Sequence, residues 1–111
     1  MQTVLYISPM ELGDETKVWH IHEDLAVETL ARSAGAAGLA AFIGSGFYAL
    51  EITFPDGDFQ EQFHRFLTHP DVARLLRDLS PHVKDLPNPD EGTAAMPLAN
   101  EMFRWRREDG E

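Results

Sequence analysis

Apolar positions alternate along residues 47–54. Tyr48, Leu50, Ile52 and Phe54 fall on one side, and Phe47, Ala49, Glu51 and Thr53 on the other. A period of two predicts a strand, with the even set facing an apolar core. A shorter apolar run, Leu39 to Ile43, precedes it, and Gly44-Ser45-Gly46 joins the two as a hairpin. Thr3 to Ser8 is rich in β-formers and predicts a first strand ended by Pro9. The period then changes. After a turn at Leu12-Gly13-Asp14-Glu15, Val18, Ile21, His22 and Leu25 recur at helical spacing. That pattern predicts a helix running to about Ser33, stopped by Gly35. Pro55-Asp56-Gly57-Asp58 makes a turn and caps a second helix, whose buried stripe is Phe59, Phe63, Phe66 and Leu67. Pro70 breaks that helix and starts a new segment, with Asp71 in its first turn and Val72, Leu75, Leu76 and Leu79 inward. Residues 81–93 read as an irregular connection, and Leu98 to Trp105 as a last strand.

The order strand, helix, strand, strand, helix, strand predicts an α+β domain. It is the ferredoxin-like βαββαβ arrangement, an antiparallel sheet with helices on one face. A chain of 111 residues makes one domain. Its expected extent is residues 1–105, followed by a polar tail over 106–111. Phe47 and Ala49 put apolar groups on the alternation set away from the helices. The uncovered sheet face is therefore expected to pack on a second copy, as a homodimer.

Composition narrows the function classes. The net charge of −10 repels phosphate backbones, so nucleic acid is not an expected partner. The longest apolar run, Ala34 to Ile43, is too short to cross a membrane. No basic segment leads into an apolar one at the N-terminus, so no signal peptide is expected. The chain has no cysteine, which removes disulfides, thiolate nucleophiles and Cys-ligated metals and fits a cytoplasmic location.

Several segments together resemble the tetracenomycin-type polyketide cyclase family. They are Gly46-Phe47-Tyr48 entering a strand, a helix carrying Thr68-His69-Pro70, and a terminal strand ending in Phe103-Arg104-Trp105. Met10-Glu11 after the first strand and Gly35 before the hairpin are weaker matches, and the resemblance spans nearly the whole chain. It implies a dimeric α/β barrel that uses no metal or organic cofactor. It implies a small aromatic or polyketide ligand held between sheet and helices, and an aldol-type ring closure with dehydration. The chain also departs from the family pattern. Ala36-Ala37-Gly38-Leu39 stands where members carry arginines, and Leu50 stands near a common strand histidine. A His-Asp pair of the family corresponds to His22-Glu23 only across a short insertion.

The candidate chemistry centres on His22. It shares the apolar stripe of the first helix, so it should face the sheet, and a neutral imidazole there can take a proton from a carbon acid. The alternative is a core histidine bonded to backbone. His20 and His22 would share a metal on a strand, but on a helix they point about 200° apart. Tyr48, Tyr6, Trp19, Leu50 and Trp105 are candidate ligand-binding residues for a flat aromatic molecule, and each is equally able to serve as core or dimer interface. His69 fits a local capping role, and His64 and His82 read as surface groups. Gly44-Ser45-Gly46 lacks the helix and lysine of a phosphate loop. Two other functions share these features. One is a cofactor-free monooxygenase of the same superfold. The other is a non-catalytic small-molecule-binding dimer, which the missing arginines favour.

Overall fold

Two runs of β-branched and aromatic residues pair to make the centre of the molecule. β1 (Gln2–Pro9) and β3 (Phe47–Phe54) lie antiparallel, from Gln2 opposite Phe54 to Pro9 opposite Phe47. β2 (Gly38–Gly44) returns along the other edge of β3 through the two-residue turn Ser45-Gly46, where Gly46 takes φ +83°. β4 (Leu98–Asn100) pairs with the outer edge of β1. The sheet order is β2-β3-β1-β4, antiparallel throughout, which is the expected ferredoxin-like α+β arrangement. The computed structural model describes residues 1–84, 86, 98–105 and 107. The tail expected over 106–111 and most of the connection expected over 81–93 lie outside the described residues, apart from isolated positions.

Among the described residues, four helices supply the other layer. α1 (Glu15–Glu23) and α2 (Val27–Ser33) fill the first crossover, and α3 (Phe59–Thr68) and α4 (Pro70–Leu79) the second. The break at His69-Pro70 is the expected one. His69 Nδ1 accepts from Asp71 N at 3.2 Å, so the histidine caps the helix that Pro70 opens. Asp58 caps α3 in the same way through Glu61 N at 3.2 Å. The break between α1 and α2 was not expected. Asp24-Leu25-Ala26 contains no strong helix breaker, and packing decides the matter. A separate α2 can bury Leu30 and Ala34 while Leu25 stays against the core. Gly35, at φ +84°, ends α2 as predicted. Its N–H bonds Arg32 O at 3.2 Å, and Ala36 N bonds Ala31 O at 2.9 Å.

The core fills the space between helices and sheet. Tyr48, Leu50, Ile52 and Phe54 all point into it, as the alternation predicted. Phe54 is wholly buried, and Phe59, Phe63 and Phe66 meet its ring edge-on with centroids 5.9, 6.4 and 5.8 Å away. On the opposite face Ile7 pairs with Ala49 and Ala49 with Phe42, which lays an apolar stripe across three strands. Ile7, Phe42 and Phe47 stay about half exposed there. Gly44 lies beneath Phe47, and a Cβ at that position would lie 2.2 Å from the ring and push this half-exposed side chain aside.

The last strand is shorter than the sequence predicted. Pairing reaches Asn100, and Glu101 N still bonds Thr3 O at 3.2 Å. Beyond that point β1 has almost no residues left to pair with. Arg104 instead turns back to Glu101 at 2.8 Å and Glu51 at 3.5 Å. His82 is likewise not a lone surface group. It is half-buried and its Nδ1 lies 2.8 Å from Asp14 Oδ2, which ties the turn after α4 to the start of α1 and holds the Asp14 carboxyl below its ordinary pKa.

Replacing Phe54 with alanine removes the ring on which three others converge. Urea unfolding is expected to show a loss of about 3–5 kcal/mol, the range for a buried aromatic truncated in a packed core.

Candidate functional site

α1 lies over the edge strand β2, and the contact between them is incomplete. Ala41 sits between Leu39 and Ile43 on the helix-facing side of β2, and its methyl is too short to fill the gap. The result is a hollow of roughly 290 Å³. α1 lines it with Val18, Trp19, His22 and Glu23, β2 with Ala41, Phe42 and Ile43, and β3 with Tyr48. This volume is at the small end for a binding site and suits two or three fused rings at most.

Two polar side chains meet at the inner wall. His22 Nε2 and Tyr48 Oη are 2.8 Å apart, and the rings are tilted at 41° with centroids 5.4 Å apart. His22 Nδ1 lies 2.8 Å from Val18 O, one turn back along α1. A carbonyl only accepts, so Nδ1 carries a proton. In the neutral imidazole Nε2 then has a lone pair and no proton, and Tyr48 donates to it. Tyr48 is almost wholly buried, and burial pushes its hydroxyl pKa well up from the ordinary 10.0. Tyr48 therefore keeps its proton through the neutral range and shares it with His22. At the rim, Glu23 accepts from Trp19 Nε1 at 2.8 Å and from His20 Nδ1 at 3.0 Å.

The structure brings three of the six predicted site residues together: His22, Tyr48 and Trp19. The other three lie elsewhere. Leu50 is buried among the core side chains. Tyr6 is fully buried, with its hydroxyl 3.4 Å from Lys84 O. Trp105 stands exposed on the opposite sheet face, beside a second concavity shared with Leu5, Glu51 and Arg104. Sequence reasoning missed Ala41, Phe42 and Glu23 as lining groups. A small residue amid the apolar set of a short strand was the available signal for Ala41. Among the described residues no group of three or more His, Asp or Glu side chains is placed to hold a metal. His20 and His22 diverge as the helix geometry requires, one to Glu23 and the other to Tyr48. No helix among the described residues is long and apolar enough to cross a membrane.

No protein-family model matches the chain, and no curated protein matches it significantly in sequence. Among solved structures the chain is similar to tetracenomycin F2 cyclase from Streptomyces glaucescens, a type-II polyketide cyclase. The TM-score is 0.61 with 16% sequence identity, over 94% of this chain and 96% of that one. The two share a fold across nearly their whole lengths. At that identity the likeness speaks to the fold and not to the chemistry.

The raised Tyr48 pKa gives a signed prediction. A group whose folded pKa lies above its unfolded value stabilises fully below the unfolded value, here 10.0, and loses that contribution as pH rises. Urea unfolding of the wild type is expected to weaken steadily from about pH 10 upward. Tyr48→Phe is expected to remove that part of the alkaline decline.

Proposed function

We propose that the protein is a cofactor-free cyclase acting on an aromatic polyketide intermediate, closing a ring by aldol addition and loss of water. The observation that carries this reading is a hydrogen-bonded His22–Tyr48 pair facing an apolar hollow, on a fold shared with a solved type-II polyketide cyclase. An aldol closure moves protons and makes one carbon–carbon bond, with no change in oxidation state overall. Its needs are a base, a hydrogen-bonding group at the enol oxygen and a dry, shaped space. His22 supplies the base through Nε2. Tyr48 supplies the hydroxyl: its oxygen takes the enol proton as its own proton passes to His22. The enolate carbon attacks a carbonyl of the same chain, and the new alkoxide recovers the proton. Loss of water then gives the conjugated ring.

The protein in this reading works as a homodimer, joined through the stripe of Ile7, Ala49 and Phe42 on the open sheet face. Ile7 on β1, Phe47 on β3 and Phe42 on β2, each about half exposed, support it, since a sheet face left in water rarely carries them. A second reading, a non-catalytic binding module, is favoured by one specific observation. No lysine or arginine lines the hollow among the described residues.

The experiment that separates them supplies a poly-β-ketone generated in situ and follows ring-closed products by mass spectrometry. The wild type is expected to redirect the product distribution, and His22→Ala to lose at least about 100-fold of that effect, the usual contribution of a positioned acid–base group. Unchanged products with His22→Ala overturn the base assignment and leave the binding module. Sedimentation is expected to give a dimer for the wild type and a monomer for Phe42→Glu, and a monomeric wild type removes the dimer.

A further inference from the structure

The polar end of the hollow has a direction. The Val18 carbonyl holds the His22 Nδ1 proton, and Tyr48 spends its only proton on Nε2. A phenol has one proton and two lone pairs. Tyr48 therefore offers the hollow an acceptor, and the partner it fits is a donor.

The charge at the rim also has a sign. Among the described residues Glu23 is the one carboxylate lining the hollow, and the contacts from Trp19 and His20 hold it in place. A second carboxylate entering there meets like charge, finds no lysine or arginine among the described lining residues, and loses water. Trp19 on α1 flanks the opening, with 57% of its surface exposed. It offers a flat face to a flat ligand.

We propose that the hollow selects an uncharged, flat ligand that donates a phenolic or enolic hydroxyl to Tyr48 Oη, and that Glu23 turns away carboxylates. The proposal rests on the reading of this hollow as the ligand site and names the chemical state of the ligand it takes. Glu23 acts as a specificity determinant and takes no part in moving protons.

The test uses the full chain labelled with ¹⁵N and follows the indole N–H signals of its 2 tryptophans. Trp105→Phe assigns the Trp19 signal, because Trp105 lies away from the hollow. Three probes are titrated: 2-naphthol, 2-methoxynaphthalene and 2-naphthoate. The naphthol is expected to shift the Trp19 signal with the lowest Kd. The methyl ether keeps the rings and the oxygen but has no proton to give, and is expected to bind about three- to tenfold more weakly. The naphthoate is expected to bind at least about fivefold more weakly than the naphthol. Tyr48→Phe is expected to erase the preference for naphthol over its ether. Glu23→Gln is expected to recover most of the naphthoate affinity and so to narrow the gap between naphthol and naphthoate. Equal affinity for naphthol and ether, naphthoate as the tightest probe, or no Trp19 shift with any of them overturns the proposal. Absent ring closure with this ranking intact discards the cyclase reaction alone.

Discussion

One hydrogen bond joins the two halves of the site: the one between Tyr48 on the central sheet and His22 on the first helix, 26 residues apart in sequence. Each partner is fixed by something else. Tyr48 sits near the start of β3, in the central part of the sheet, paired to Ser8 on one side and Ile43 on the other. His22 is turned by the carbonyl one helical turn back. The geometry is set before any ligand arrives, which is the condition for using such a pair to move a proton at small reorganisation cost. The hollow depends on the same arrangement. The bond ties α1 to β3, and Ala41 on the neighbouring β2 leaves the space beside it unfilled.

Much of the fold was legible in the sequence because it follows from short-range rules. The alternation through Tyr48, Leu50, Ile52 and Phe54 gave a strand and its buried face. Gly44-Ser45-Gly46 gave the hairpin, Gly35 the end of a helix, and His69-Pro70 a break with its own cap. The errors came where packing outweighs local preference. The chain between Asp24 and Ala26 leaves the helix without a breaker, because two short helices bury Leu30 and Ala34 better than one long one. The last strand ends at Asn100, near the start of its partner β1, where Arg104 turns back to Glu101 and Glu51, a tertiary contact that the composition of residues 101–105 cannot disclose.

The site was legible only in part, for a related reason. The helical stripe of Val18, Ile21, His22 and Leu25 pointed His22 at the sheet, and the strand alternation pointed Tyr48 at the helices. Their contact follows from the sheet order and the crossing of α1, which no single stretch encodes. Leu50 shares the Tyr48 face but lies deeper, where α3 and α4 help to close the core, so it packs instead of lining the hollow. Trp105 looked like a pocket residue in sequence and stands on the other face, where Arg104 bridges Glu51 and Glu101 beside it. The shared fold with a type-II polyketide cyclase coexists with a lining that, among the described residues, has one carboxylate and no cation. Architecture and ligand preference are thus separable here, and the preference has to be argued from the lining itself.

The account stands on the direction of the Tyr48–His22 hydrogen bond. Long-range ¹H–¹⁵N correlation spectra of the imidazole rings, recorded at a pH where His22 is neutral, read that direction. The account predicts a protonated Nδ1 and an unprotonated Nε2 for His22. A proton on Nε2 with Nδ1 bare would reverse the bond, give Tyr48 a free proton for the hollow, and contradict the account.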